Sequence, residues 1–146
     1  MANEIESDGV SEVDSLIDAL AQTAFVITAV LSRIAAEHDL SLTQLRMLGI
    51  LRDRRLRISD LADFLGLEKS TLSGLVDRAS KRGLLDRAAN PEDGRAVDVL
   101  LSARGIELAE RVGAQVAESL RPMTGVLGAQ DQRRLQQLLD SMLTAP

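Results

Sequence analysis

The sequence predicts a mainly α-helical fold with one small β-hairpin, and three observations lead to this prediction. Apolar residues recur at helical spacing over residues 13–37 and again over residues 103–124. Short apolar segments at residues 84–88 and 96–101 flank Asn-Pro-Glu-Asp-Gly, a run of turn-forming residues that is typical of a hairpin tip. Cysteine, tryptophan and tyrosine are absent, so the core must be aliphatic and free of disulfides.

The chain has 146 residues, the length of one ordinary domain, and its first residues are polar and acidic. We predict a disordered tail over residues 1–10, without the basic start of a secretory signal. The apolar stretch over residues 16–36 contains Asp18, Gln22 and Arg33 among other polar residues, and we judge it too polar to span a bilayer unaided. A soluble, cytoplasmic protein without a membrane partner is therefore expected.

The predicted first helix, over residues 13–37, is unusually long and has a wide apolar stripe. The pattern alone leaves two interpretations open, a core helix or a helix that pairs with a second copy of the chain. A fifth helix, capped by Ser102, and a last helix over residues 129–143 are also amphipathic.

Charge is distributed unevenly along the chain. The net charge is −5, yet residues 46–95 carry eleven Lys/Arg against eight Asp/Glu, while the remainder carries six against fourteen. A basic middle between acidic ends favours one face for phosphates.

The basic middle begins with a helix that runs to about residue 51. Ser41 and Gln44 are predicted to form a capping box at its start. A basic connector follows over residues 52–57. Ser59 is predicted to cap a third helix, which Gly66 ends because glycine adopts a left-handed conformation at little cost.

A fourth helix is predicted to start near Lys69 and to stop at Gly83, with Leu72, Leu75 and Val76 facing inward. Its outward face is rich in small hydroxyl residues, which allow a close approach to a phosphate backbone and to base edges. A solvated helix more often carries Glu and Lys there, because they are better helix formers than Ser, Thr or Gly. Two helices, a tight turn and a hairpin in this order predict a winged helix-turn-helix.

The segments LADFLGLEKSTLSGLVDRASKRGLLDR and NPEDGRAVDVLLSARG resemble the MarR (multiple antibiotic resistance regulator) family of bacterial transcription factors. The wing core of that family corresponds to Asp93 and Arg95, and its following Leu-Thr and Gly correspond to Leu101, Ser102 and Gly105. This chain departs from the family at Glu68, where Asp or Ser usually precedes the recognition helix, and at Ser102, where Thr is commoner.

The resemblance implies a homodimer that binds double-stranded DNA at a palindromic operator. Residues 11–40 and 102–146 would form the helical dimerisation region, and residues 41–101 the winged helix-turn-helix lobe. The implied function is that of a transcriptional regulator, most simply a repressor released by a small lipophilic or phenolic ligand. A winged-helix module that binds only proteins is the alternative.

For the DNA contact we predict that Arg95 enters the minor groove and that Asp93 holds its guanidinium. The full set of predicted DNA-binding residues is Lys69, Ser70, Thr71, Ser73, Gly74, Arg78, Lys81, Arg87, Asp93 and Arg95. Arg82 is a further candidate for a phosphate contact.

Effector-binding residues are predicted in the first two helices, and the candidates are Arg33, His38, Arg46 and Met47. No cofactor or metal is expected, because cysteine is absent and His38 is the only histidine. An enzyme is not expected either, since no catalytic set of nucleophile and base and no phosphate loop is recognisable.

Overall fold

The computed structural model describes the backbone of residues 4–145 and the side chains of residues 11–145. Six helices and three strands follow one another in the described chain. They are α1 (Glu4–Glu37), α2 (Leu42–Leu51), β1 (Leu56–Arg57), α3 (Ile58–Leu65), α4 (Lys69–Lys81), β2 (Leu85–Ala89), β3 (Val97–Leu101), α5 (Ala103–Thr124) and α6 (Ala129–Leu143).

Helix α1 begins at Glu4, so the prediction of a disordered tail over residues 1–10 is wrong for residues 4–10. No proline interrupts this segment, and the α-helical backbone of the long helix extends through it. Residues 1–3 lie outside the described part of the chain.

The local signals for helix ends are confirmed at four places. The Ser41 hydroxyl accepts from the Gln44 amide at 3.1 Å while the Gln44 side chain accepts from the Ser41 amide at 2.9 Å, as in a capping box. The Ser102 hydroxyl accepts from the Gly105 amide at 3.0 Å. Gly66 and Gly83 have φ of 64° and 75°, the left-handed conformation that ends a helix.

The sheet is antiparallel, with β3 between β1 and β2. The basic connector predicted over residues 52–57 thus ends in a short strand that sequence analysis missed. Because Arg57 is held extended opposite Asp98, α3 follows the strand directly and begins at Ile58. The prediction that Ser59 caps α3 is therefore wrong: Arg57 is the N-cap and makes no side-chain cap bond.

The core lies between α1, α2, α5 and the helix-turn-helix. Its most deeply buried side chains come from α1, α2, α3, α4 and β3, and they are Ile34, Met47, Leu48, Leu61, Leu72, Val76 and Val99. The core of the single chain is thus concentrated around the helix-turn-helix and the ends of the longer helices.

Large apolar side chains stay exposed on α1 and α6. They are Val13, Leu16, Ile17, Phe25 and Val26 on α1, and Leu135, Leu138, Leu139, Met142 and Leu143 on α6. Within Ser11–Glu37 an 18-residue segment has a mean hydropathy of 1.6, and the helix is long and apolar enough to cross a membrane by length and composition alone. On that criterion the prediction that the helix is too polar is wrong. The same exposed stripe is expected of a helix that packs against another protein.

Candidate nucleic-acid interface

The turn between α3 and α4 sets where the fourth helix begins. Gly66 and Leu67 donate backbone bonds to Asp63 and Ala62, at 3.2 and 3.0 Å, and these bonds close the end of α3. Helix α4 then starts at Lys69 as predicted. Glu68 occupies the N-cap position without a side-chain cap bond, so the first-turn amides of α4 are left without a side-chain acceptor there.

One face of α4 packs on the core and the other is open. Leu72, Leu75, Val76 and Ala79 are buried, which confirms the predicted stripe. On the opposite side Lys69, Ser70, Thr71, Arg78 and Lys81 are exposed, while Ser73 and Gly74 are half-buried. The predicted contact residues of α4 therefore lie on its accessible surface.

Arg78 lies above Gly74, where an added Cβ would come within 3.4 Å of the guanidinium. Arg78 also has an acidic neighbour on α4 with which it could pair. Among the described side chains its neighbour Asp77 pairs with Arg87 of β2 instead. Arg78 thus remains available to a ligand, whereas the predicted phosphate contact Arg87 is bound to a carboxylate.

The wing tip is built by Asn90 and Asp93. The Asn90 side-chain oxygen accepts from the backbone amides of Glu92 and Asp93, at 2.9 and 3.0 Å. Asp93 accepts from the backbone amide of Arg95 at 3.1 Å. The predicted bond from Asp93 to the Arg95 guanidinium is therefore wrong, because the carboxylate fixes the turn. The Arg95 side chain is left exposed at the tip.

A buried carboxylate, which sequence analysis did not single out, supports the base of the wing. Asp98 is 3% exposed, and its carboxylate accepts from Arg55 Nε and from the side-chain amide of Asn90, both at 2.8 Å. The Arg55 guanidinium also donates to the Ala89 carbonyl at 2.9 Å. Arg57 donates to the Asn90 side chain at 3.4 Å. This polar network ties β1, β2 and β3 together below the wing tip.

The pKa of Asp98 is lowered from its ordinary value of 3.8, first by the hydrogen bond from Asn90 and then by the bond and charge of Arg55. Burial acts in the opposite direction without overcoming these bonds. A carboxylate with a lowered pKa in the folded state stabilises the protein above its ordinary pKa. This stabilisation is lost as the pH falls through the folded value.

We therefore expect Asp98→Asn to unfold more easily than the parent chain near neutral pH, because Arg55 loses its charged partner. The difference should shrink as the pH is lowered from about 7 towards about 3, where the parent carboxylate becomes protonated as well. Urea unfolding across this pH range measures the effect. Asp86→Asn, an exposed carboxylate on β2, is the matched control. A difference that stays constant with pH contradicts the role of the Asp98 charge.

A polar recess joins the two parts of the interface. It has a volume of about 400 Å³ and lies between the start of α3, the start of α4 and β3. Lys69 and Ser73 line it from α4, Arg57 and Ser59 from the β1–α3 junction, and Val97 from the wing. Two cations and two hydroxyls around one recess suit a phosphate group. Sequence analysis gave Arg57 only as part of a basic rim, with Arg54 and Arg55, and gave Ser59 no part in DNA binding, because their place at this recess depends on the β1–β3 pairing.

The four predicted effector residues do not share one site. Arg33 is exposed and pairs with Glu37 at 3.6 Å, and the His38 ring bonds to the side chain of Gln115 at 2.8 Å. Met47 is fully buried in the core. Arg46 alone among them lines a pocket of about 190 Å³ between α1, α2 and α5.

Helix α4 has a hydroxyl-rich face and follows a tight turn. It lies beside an antiparallel hairpin with an exposed arginine, and this arrangement defines a winged helix-turn-helix protein. Residues 38–96 match the model of the MarR family. The helix-turn-helix and wing of this chain, within residues 38–96, are thus of the MarR type.

Relatives and solved structures agree with this assignment. The HTH-type transcriptional repressor IacR of Pseudomonas putida is 31% identical over 70% of this chain and 63% of its own length. The homoprotocatechuate degradative operon repressor of Escherichia coli is 27% identical over 89% of this chain and 88% of its own length. NadR, solved in complex with 4-hydroxyphenylacetate, has a TM-score of 0.80 at 26% identity, covering 88% of this chain and 92% of that one.

The match does not extend over the whole of every relative. The chain spans less than two thirds of the length of IacR, and 41% of a Bacillus subtilis HTH-type regulator to which it is 37% identical.

Proposed function

We propose that the protein is a dimeric, sequence-specific DNA-binding transcriptional regulator, most simply a repressor. The observation that carries this proposal is the continuous surface formed by the open face of α4, the cationic recess at its start and the exposed Arg95 of the wing. An α-helix fits the major groove of B-DNA, and an arginine at a wing tip suits the negative potential of a narrow minor groove.

Dimer formation is supported by the exposed apolar residues of α1 and α6. Phe25 is 80% exposed and Leu143 is 84% exposed in the single chain. An apolar groove of about 370 Å³ also runs along α6 between Leu127, Leu135 and Leu139. A second copy seated on these helices would bury this surface and place two α4 helices on one duplex. Two-fold symmetry of the protein then requires an inverted repeat in the DNA.

An effector site is supported by the pocket between α1, α2 and α5. Its walls are largely apolar, from Leu31 of α1 to Val112 and Val116 of α5, and the guanidinium groups of Arg46 and Arg52 line it as well. Among the described side chains neither arginine forms an ion pair, and such a combination suits a small lipophilic or phenolic anion. Of the relatives, NadR was solved with 4-hydroxyphenylacetate, which makes that compound a reasonable first probe.

We expect Arg46→Ala to bind a phenolic acid such as 4-hydroxyphenylacetate about tenfold more weakly, because one charge-assisted hydrogen bond is lost. Isothermal titration calorimetry on the chain without DNA measures the affinity. Arg133→Ala, which removes an exposed arginine from α6, is the control and should bind as the parent does. Equal affinities of the parent and Arg46→Ala contradict the assignment of this pocket.

The proposed function is tested by a mobility-shift titration with the DNA upstream of the chain's own gene, followed by footprinting. Binding that protects an inverted repeat and weakens with salt supports a regulator with its own operator. Absence of binding even at low salt overturns the proposal and favours a winged-helix module that binds proteins. The named relatives are transcriptional regulators, and no catalytic role is proposed for this chain. Its proposed place of action is the bacterial cytoplasm, at the nucleoid.

A further inference from the structure

Helix α1 ends in a turn whose carbonyl groups face away from the helix. After Glu37 the chain reverses through Asp39, the one non-glycine residue with a positive φ, 55°, in the described chain. The amides of His38, Asp39 and Leu40 bond back to Ala35 and Ala36. The carbonyl oxygens of His38 and Asp39 lie beyond these bonds and need donor partners from elsewhere.

Arg82 supplies both partners from the end of the proposed recognition helix. Its guanidinium donates from Nη1 to the Asp39 carbonyl at 2.6 Å and from Nη2 to the His38 carbonyl at 3.1 Å. Arg82 is also the C-cap residue of α4, where its own amide bonds to the Arg78 carbonyl. One side chain therefore joins the C-terminal ends of α1 and α4, and a guanidinium suits the negative end of a helix dipole.

The same turn is tied on its other side to α5. The His38 ring bonds to Gln115, and the amide of that side chain donates to the Glu37 carboxylate. Gln115 is the immediate neighbour of Val116, which lines the pocket between α1, α2 and α5. The turn at residues 37–39 thus lies between this pocket and the end of α4.

We propose that Arg82 is a positioning residue, which fixes the orientation of α4 relative to α1 and does not itself contact DNA. The inference rests on the proposed DNA-binding function and assigns to Arg82 a role different from the phosphate contact expected from sequence. Helix α4 otherwise packs on α3 and β2, within its own lobe. The two carbonyl bonds are therefore a direct connection from the recognition helix to the long helix of the proposed dimer.

The neighbouring Lys81 offers a matched comparison. It is exposed at the last position of α4 and forms no ion pair among the described side chains, whereas Arg82 is half-buried against the α1 turn. A phosphate contact contributes about −0.9 to the slope of log affinity against log salt for each phosphate neutralised. A residue that only positions α4 changes the affinity and leaves this slope unchanged.

The experiment measures affinity for the footprinted operator duplex by fluorescence anisotropy over a series of salt concentrations. We expect Arg82→Ala to bind about tenfold more weakly than the parent with an unchanged slope, the effect of losing one coupling element. Lys81→Ala should instead reduce the slope. Arg82→Ala should also discriminate less against an operator whose half-sites are moved apart by one base pair, because α4 is no longer held in one orientation.

Arg82→Lys keeps the test decisive if the alanine variant does not fold. Lysine preserves the charge and any phosphate contact but loses the two-pronged donor, so the inference expects weakened binding and reduced spacing discrimination. Parent-like affinity of Arg82→Lys, or a reduced slope in Arg82→Ala, identifies a phosphate contact and overturns the inference. Parent-like affinity and spacing discrimination in Arg82→Ala overturn it too. A parent chain that binds no DNA refutes the proposed function instead.

Discussion

Gly105→Ala is expected to destabilise the protein by about 3 kcal/mol, at the upper end of the cost of overpacking a core. Gly105 lies in the first turn of α5, and a Cβ there would come within 2.1 Å of the Leu84 carbonyl oxygen. The atom in the way belongs to the backbone, and that same carbonyl accepts from the Ser102 amide at 3.0 Å. The clash is therefore relieved only by moving α5 away from the start of β2.

Urea unfolding followed by circular dichroism measures this loss, with Gly49→Ala as the control. Gly49 is also a helix glycine, but its nearest neighbour for an added Cβ is the flexible Arg46 side chain at 3.8 Å. Gly49→Ala should raise the stability by about 0.5–1 kcal/mol, because alanine is the better helix former. If both variants shift the unfolding midpoint in the same direction, the close approach of α5 to Leu84 is not the cause.

Arg95→Ala is expected to weaken operator binding by about a hundredfold or more, since each of the two subunits would lose one charged contact worth about 1.5–3 kcal/mol. The exposed guanidinium is not engaged by Asp93, so it is free to reach the minor groove. The slope of log affinity against log salt should fall by about 0.9 for each phosphate neutralised. Fluorescence anisotropy with a labelled operator over several salt concentrations gives both quantities.

Arg111→Ala is the matched control, because it removes an equally exposed arginine from α5 in the proposed dimerisation region. It should leave both affinity and slope near the parent values. An Arg95→Ala protein that binds the operator normally at every salt concentration would contradict the assignment of the wing as a DNA contact.

Sequence analysis succeeded where a structural feature is encoded by neighbouring residues. The capping box of Ser41 and Gln44, the left-handed glycines at 66 and 83 and the buried stripe of α4 each depend on spacings of a few residues. The return strand was predicted over residues 96–101 and is observed as β3 over Val97–Leu101, while β2 was predicted one residue too early.

Features that depend on distant parts of the chain were not predicted. Strand β1 has two residues and exists because Leu56 pairs with Val99. Asp98 alternates with apolar residues and looks like a solvent-facing position, yet Arg55, 43 residues away, covers it. Arg82 resembles any basic residue near a recognition helix, and its bonds to the α1 turn are visible only once both helices are placed.

For the candidate interface, too, only the features encoded by neighbouring residues were predicted. The accessible residues of α4 follow from helical periodicity, and Arg95 follows from its position in the hairpin tip. The ion pair of Arg87 was not foreseen, because its partner Asp77 lies on a different element ten residues earlier. Charge counted along the sequence does not reveal which cations are already neutralised within the fold.

The exposed apolar faces of α1 and α6 have a thermodynamic consequence. If a second copy covers them, association and folding are coupled, and the unfolding temperature must rise with protein concentration. Operator occupancy would then depend on the cellular level of the protein more steeply than for a preformed dimer. Near the dimer dissociation constant, a modest change in synthesis would alter occupancy without any effector.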